Sequence, residues 1–172
     1  MTAARRGRPT FGPEPRGARN GGLFAFSALA SLGAVAAALV SQHGYAMEPC
    51  PWCVLQRLLF VALAAFAVLG LVWRGSAGSR VAGTFSVLLA VSGIASALWQ
   101  HFAAARSASC KLTLADRLMN ATGLNALLPG VFEARASCAD AVVDLFGVPY
   151  DFWSAGLFTL IAIAMIVAVR RA

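Results

Sequence analysis

Residues 48–57 read EPCPWCVLQR, which places Cys50 and Cys53 three positions apart at the start of a long apolar run. Pro51 suits the first position of a helix, because its φ is already helical and its missing N–H is not needed there. Cys50 is therefore expected at the helix N-cap and Cys53 in the first turn. Unpaired N–H groups and the helix dipole stabilise a thiolate at these positions. The stretch predicts a redox-active cysteine pair at the water-facing start of a helix.

Arg57 adds a positive charge to this pair. It follows Cys53 by four residues, so the two side chains share one face of a helix. An arginine in this position lowers the pKa of a nearby thiol and can hold an anionic or carbonyl oxygen of a ligand. The alternative is an incidental cysteine pair followed by an arginine whose charge extends to the membrane surface, because C-x-x-C alone is a moderate signal.

The composition of the chain indicates a membrane protein. Of the 172 residues, 59% are hydrophobic and 12% are charged, whereas soluble domains average about 25% charged residues. A helical run of about 20 apolar residues covers the hydrocarbon core of a bilayer. The first run exceeds the apolar region of a cleaved signal peptide, which is the competing interpretation for it. We therefore predict an all-α protein, a bundle of four transmembrane helices at about residues 22–41, 54–73, 81–102 and 152–169.

Basic residues are concentrated on one side of the predicted membrane domain, residues 22–172. We expect residues 1–21 to form a disordered tail. Together with the connection at residues 74–80 and the C-terminus, this tail carries nine basic residues and one acidic residue. By the positive-inside rule, these segments are cytoplasmic. The net charge of +7 is therefore a sign of membrane topology rather than of nucleic-acid binding.

The two loops on the opposite side differ in length. Residues 42–53 form a short loop and residues 103–151 a long one. Leucines around residues 112–119 predict a short amphipathic helix in the long loop, which lies either on the membrane surface or on a small core of the loop itself. A second short helix is expected at residues 139–146.

All four cysteines fall in these outer loops, as the pair Cys50 and Cys53 and the distant pair Cys110 and Cys138. A Cys₄ zinc site normally uses two short-spaced pairs, and the second pair here is 28 residues apart. Two purely structural disulfides are a further alternative. A loop-borne pair that can reach an activated inner pair suits thiol–disulfide exchange better. We therefore predict four redox-active cysteines and no metal.

Such a relay requires a final electron acceptor. The sequence has no Gly-rich nucleotide motif, and two histidines are too few for typical bis-His haem ligation. A membrane quinone needs no binding fold beyond a helix bundle. Arg57 could donate a hydrogen bond to a quinone carbonyl and stabilise the charge that develops on reduction. Gln100 and His101 end another span on the same side and are candidates for the same pocket, or are ordinary interfacial residues.

With these features the sequence resembles the bacterial disulfide bond formation protein B (DsbB) family over about residues 22–170. The resemblance rests on CPWC at residues 50–53 followed by Arg57, on the four spans, and on Cys110 and Cys138 in the second outer loop. It implies a four-helix bundle in the bacterial inner membrane, with cytoplasmic termini and periplasmic cysteine loops.

The resemblance also implies a quinone-dependent oxidoreductase that acts on protein thiols. The Cys50–Cys53 pair would be oxidised by ubiquinone or menaquinone, with Cys53 as the electron donor and Arg57 near the quinone. The Cys110–Cys138 disulfide would oxidise a soluble periplasmic thioredoxin-like dithiol oxidase of the DsbA type, and Cys110 would be the sulfur attacked.

Three other functions remain open at this level. Electrons could run outward and reduce periplasmic disulfides, because direction depends on reduction potentials. A vitamin-K-epoxide-reductase-like enzyme is a related possibility, although its quinone-facing C-x-x-C would be expected late in the chain. A membrane scaffold with structural disulfides is the non-enzymatic alternative.

Overall fold

Four long helices dominate the computed structural model, which describes residues 16–73, 75–106, 113–141 and 143–172. Each of the four is long and apolar enough to cross a membrane, which confirms the predicted fold class. The elements in chain order are α1 (Arg16–Tyr45), α2 (Pro51–Val72), α3 (Ser76–Phe102), a 3₁₀ turn (Ala104–Arg106), α4 (Leu114–Thr122), α5 (Leu124–Leu127), α6 (Pro129–Phe132), β1 (Asp144–Leu145), β2 (Val148–Pro149) and α7 (Tyr150–Arg171).

The long helices pack as a four-membered bundle. Helix α1 lies beside α2 and α7, and α3 lies beside the same two helices. The connections from α1 to α2 and from α2 to α3 are short, so consecutive helices run in opposite directions. The N-terminus of α2, the C-terminal ends of α1 and α3 and the start of α7 therefore meet at one end of the bundle.

Aromatic rings pack closely against glycines and against each other between the helices of the bundle. Phe60 of α2 and Phe158 of α7 stack with ring centroids 3.9 Å apart and an interplanar angle of 4°. A Cβ on Gly93 of α3 would lie 2.6 Å from Phe158 Cγ, so only glycine admits the ring there. In lipid such close packing replaces the hydrophobic driving force of soluble proteins. Large apolar side chains elsewhere face outward, as expected for lipid contact; examples are Leu29, Val72, Leu88 and Ile163.

Helix ends extend beyond the spans predicted from hydropathy. Helix α1 runs from Arg16 to Tyr45, so residues 16–21 are helical instead of belonging to the tail, and the first outer loop shrinks to residues 46–50. Helix α3 begins at Ser76, five residues before the predicted start. Hydropathy marks the lipid-embedded part of a helix, whereas polar turns at its ends continue the same hydrogen bonds. Residues 1–15 lie outside the described residues.

The long outer loop contains the predicted amphipathic helix as α4. Thr113 and Asp116 form a reciprocal capping box at its start, which satisfies two donors of the first turn. Ala115 and Met119 point inward onto the start of α2, while Leu118 is exposed. The helix is therefore anchored to the bundle on one face and presents apolar surface on the other.

The second helix predicted in this loop, at residues 139–146, is wrong. After a turn that ends at Ala141, β1 pairs with β2 as an antiparallel ribbon of two residues each. Phe146 and Gly147 between them have φ of 56° and 78°. Two successive residues in the left-handed region reverse the chain and cannot continue a right-handed helix. The ribbon leads directly into α7.

Candidate functional site

The first cysteine pair sits at the N-terminus of α2, as predicted. Cys50 is the N-cap with extended backbone, and Pro51 is the first helical residue. The backbone N–H of Cys53 donates to Cys50 Sγ at 3.3 Å, and the two sulfurs are 2.7 Å apart. Cys50 is fully buried and Cys53 is half-buried. The pair is therefore within reach of disulfide formation, with only Cys53 partly accessible.

The long loop brings a third cysteine to the same place. The backbone N–H groups of Arg135 and Ala136 both donate to Pro49 O, at 2.9 and 3.3 Å, which ties this segment to the chain before α2. Cys138 then lies against Cys50, to which it is hydrogen-bonded. Cys50 thus stands between Cys53 and Cys138. Cys110, the fourth predicted cysteine, lies outside the described residues.

Hydrogen bonding gives the thiols of Cys138 and Cys50 different pKa values. A hydrogen bond from Cys50 lowers the pKa of the Cys138 thiol, and the backbone N–H of Trp52 acts in the same direction. The same contact, together with burial, raises the pKa of Cys50. The unpaired N–H groups at the start of α2 thus also favour a thiolate on the loop cysteine. Cys138 is the better nucleophile and Cys50 the sulfur it faces.

Arg57 is buried one turn below the cysteine pair. Its Nη1 donates to Gln42 Oε1 of α1 at 2.6 Å and to Val131 O at 3.0 Å, and Nη2 donates to Ala38 O at 3.4 Å. These acceptors are neutral, and no carboxylate forms an ion pair with Arg57 among the residues described. A buried cation held only by neutral oxygens leaves its charge available to an anionic group or a polarised carbonyl.

A polar network connects Cys53 to α3 and α7. Gln56 Nε2 donates to Gln100 Oε1 at 2.9 Å, which fixes the orientation of the second amide. Gln100 Nε2 then donates both to Cys53 Sγ, at 3.3 Å, and to Asp151 Oδ1. Asp151 Oδ2 lies 3.5 Å from His101 Nδ1. The amide of Gln100 therefore presents a donor to the sulfur because the carboxyl group of Asp151 accepts its other N–H.

A cavity of about 1200 Å³ opens beside this network, between α1 and α7. Its wall is mostly apolar and includes Ala34 and Ala38 of α1 and Leu157 and Leu160 of α7. Its polar end combines Cys53, Gln56, Arg57, Gln100, Tyr150 and Asp151. An apolar wall in the lipid-embedded zone, with hydrogen-bond donors and a cysteine at one end, fits a flat ring that carries carbonyl groups and an apolar tail.

Three candidates for quinone binding came from the sequence, and the structure separates them. Arg57 and Gln100 line the cavity. His101 stands behind Asp151, where it also contacts the Phe152 ring at 4.5 Å between centroids. In the part of the chain that the structure describes, no group of three or more His, Cys, Asp or Glu side chains could hold a metal ion.

Two residues of the site, Gln42 and Asp151, were not predicted from the sequence. Gln42, which accepts from Arg57, was expected in a loop and instead lies in the last turns of α1. Asp151 falls at the end of the predicted long loop, residues 103–151, although it lies in the first turn of α7. Its position as a carboxyl group at the start of an apolar span was the available signal, because such a group is costly without a partner.

Comparison with known proteins identifies the family. Residues 20–168 match the family described as disulfide bond formation protein DsbB. Curated relatives named disulfide bond formation protein B include one from Burkholderia pseudomallei strain 1106a, 30% identical over 150 residues that cover 87% of this chain and 89% of the relative. Another, from Aromatoleum aromaticum, is 32% identical over 154 residues that cover 87% and 90%. A third, from Ralstonia nicotianae, is 31% identical and covers 86% of this chain and 92% of the relative.

The match spans all four long helices and the loop that carries Cys138. A non-enzymatic scaffold, one of the alternatives left by the sequence, is therefore wrong. The chain belongs to the DsbB family of disulfide bond formation proteins, multi-pass membrane oxidoreductases that act on thiols.

Proposed function

We propose that this protein reoxidises a soluble periplasmic dithiol oxidase of the DsbA type and passes the electrons to a membrane quinone, ubiquinone or menaquinone. The observation that carries the proposal is the order of the groups: Cys138 beside Cys50, Cys50 at 2.7 Å from Cys53, and Cys53 in the wall of an apolar cavity with Arg57. This order forms a path from the outer loop into the membrane.

The path begins with disulfide exchange in the loop. A partner thiolate attacks Cys110 of a Cys110–Cys138 disulfide, a mixed disulfide forms, and Cys138 leaves as a thiolate. The hydrogen bond from the backbone N–H of Trp52, which lowers the pKa of Cys138, supports this leaving group. The second partner thiol then releases the partner as a disulfide and leaves Cys110 reduced.

The second exchange takes the electrons to the membrane. The Cys138 thiolate attacks Cys50 of the Cys50–Cys53 disulfide, so a Cys138–Cys50 bond forms and Cys53 is released as a thiolate. Attack of Cys110 on Cys138 restores the loop disulfide and leaves Cys50 and Cys53 reduced. Cys53 receives a hydrogen bond from Gln100, which favours the thiolate form.

The cavity supports a quinone as the acceptor. When bound, a quinone supplies a two-electron oxidant that takes up two protons. Arg57 would hold an oxygen of the ring and could balance negative charge there, because its own hydrogen bonds go only to neutral groups. The apolar wall from α1 and α7 would accommodate the tail.

The charge distribution supports the orientation that this scheme needs. Nine basic residues against one acid on the side of the termini support a cytoplasmic location for them, with the cysteine loops facing the periplasm of a bacterial inner membrane. In that compartment a thioredoxin-like oxidase has to be reoxidised after each round.

Purified protein in detergent tests the proposal with a reduced DsbA-type dithiol protein and a short-tailed ubiquinone analogue. We expect two partner thiols to be lost for each quinone reduced, and no turnover when quinone is omitted. Cys53→Ser should abolish quinone reduction. Full quinone reduction by Cys53→Ser would refute the assignment of Cys53 as the electron donor.

Thiol trapping in cells distinguishes the direction of electron flow. For an oxidase, depletion of quinone should leave the four cysteines reduced, and the partner should become reduced as well. A conduit that takes electrons from quinol and delivers them outward would instead leave its cysteines and its partner oxidised when the quinone pool is depleted. That result would contradict the proposal even if the purified protein exchanges disulfides.

A further inference from the structure

Asp151 has no part in the scheme above, yet it is among the most constrained polar groups of the site. It lies in the first turn of α7 and is 8% exposed. One carboxyl oxygen accepts from Gln100, whose other N–H donates to Cys53 Sγ, and the second oxygen lies 3.5 Å from His101 Nδ1. The carboxyl group also lines the cavity.

The position matters because the reaction moves protons as well as electrons. Oxidation of a thiol and a thiolate to a disulfide releases two electrons and one proton, whereas conversion of a quinone to a quinol consumes two electrons and two protons. One proton must therefore come from a group other than Cys50. A group near the acceptor site with a connection to the outside can supply it.

We propose that Asp151 and His101 act as a proton-holding pair that takes up a proton when the Cys50–Cys53 disulfide is reduced and supplies it to the cavity when the disulfide re-forms. The inference rests on the proposed quinone reduction and adds the source of its second proton. Asp151 faces the cavity, and the side chain of His101, which is 26% exposed, provides the connection toward the outer surface.

Both steps balance. Reduction of the disulfide by two electrons and two protons yields the Cys50 thiol, the Cys53 thiolate and one proton on the Asp151–His101 pair, so no net charge is added to the buried site. In the oxidative step the Cys50 thiol gives one proton, the pair gives the other, and the two sulfurs give the electron pair as their bond forms. The pair then regains its proton from the periplasmic side in the next reduction.

The groups around Asp151 support its assignment as the acid that holds the proton. On α2 it acts on Cys53, with which it shares the amide of Gln100, and on α3 it faces His101. Helix α1 contributes Ala34, Ala37, Ala38 and Ser41 to the wall of the cavity, and none of these side chains carries an acidic or basic group. The other titratable groups of the site are Arg57 on α2, Tyr150 on α7 and Glu48, Arg135, Cys138 and Asp140 in the loops. Among the neighbouring acids, Asp151 alone is hydrogen-bonded to the amide that touches Cys53.

The first test uses protein reduced in advance and a short-tailed quinone, mixed in a stopped-flow instrument across a range of pH. The wild-type rate should fall at high pH, where the pair has lost its proton. Asp151→Asn should slow the reaction at least tenfold, within the range of about 10²–10⁴ typical of general acid–base groups, and should abolish this alkaline limb. Asp151→Glu should restore most of the rate, and Asp144→Asn, an exposed acid in β1, serves as the matched control.

The second test needs no quinone. Infrared difference spectra between the disulfide and dithiol states of quinone-free protein should show a change in a carboxyl or histidine band that is absent in Asp151→Asn. If Asp151→Asn keeps the wild-type rate and pH profile, the inference is wrong. If that variant is slow but its pH profile and infrared difference match the wild type, Asp151 only positions Gln100, and the inference is equally wrong. Failure of the wild type itself to reduce quinone would instead refute the proposed function.

Discussion

Replacement of Arg57 is the sharpest test of how the cavity binds its electron acceptor. Its guanidinium reaches neutral oxygens at 2.6, 3.0 and 3.4 Å, so its charge is not consumed by an ion pair among the described residues. A hydrogen bond from a charged donor contributes about 1.5–3 kcal/mol. At about 1.4 kcal/mol per factor of ten, Arg57→Ala should lower kcat/KM for quinone about 10- to 150-fold.

The assay is quinone reduction by purified protein with a saturating reduced dithiol partner, with quinone concentration varied. We expect the effect mainly in KM for quinone, since the arginine binds the ring before reaction as well as during it. Arg57→Lys keeps the charge but loses the planar fork, and should fall between wild type and alanine. Arg80→Ala, an exposed arginine near the opposite end of the bundle, is the control. A kcat/KM within twofold of wild type for Arg57→Ala would remove Arg57 from the acceptor site.

Two further predictions concern the loop cysteine and the bundle. In fully reduced protein, the rate of alkylation of Cys138 should reach half its maximum at a lower pH than for an ordinary thiol, because a lowered pKa gives thiolate at lower pH. Cys50→Ala removes the hydrogen bond from Cys50 and should move this midpoint to higher pH. An unchanged midpoint in Cys50→Ala would contradict that cause. Gly93→Ala should destabilise the bundle by about 1–3 kcal/mol through overpacking against Phe158, measured as a lower Tm in detergent, whereas Gly33→Ala, with open space at its Cβ, should not. Equal Tm values for the two variants would refute the packing argument.

Local rules sufficed where one segment determines its own geometry. Pro51 predicts a helix start, and with it the N-cap position of Cys50 and the first-turn position of Cys53. Hydropathy located the four lipid-embedded runs, but the ends of α1 and α3 were missed because polar residues at a helix end look like a loop. The reversal at Phe146 and Gly147 was not predicted either, because it depends on a left-handed conformation at a residue other than glycine.

Contacts between distant segments were beyond the reach of the sequence. Nothing in the local pattern places Cys138 on Cys50, because that contact depends on how the long loop ties back to Pro49. The role of Asp151 likewise arises only when α3 and α7 meet and Gln100 bridges the carboxyl group to Cys53.

The sequence by itself determined the membrane class, the four spans, the cysteine pair at a helix start and the arginine one turn below it. These follow from composition and from spacing within one helix, which physical chemistry constrains over a few residues. Only the tertiary structure decided which sulfur faces Cys50, what holds Arg57 and which carboxyl group shares an amide with Cys53. Each of these depends on side chains far apart in the chain, and their distances are determined by the packing of the bundle.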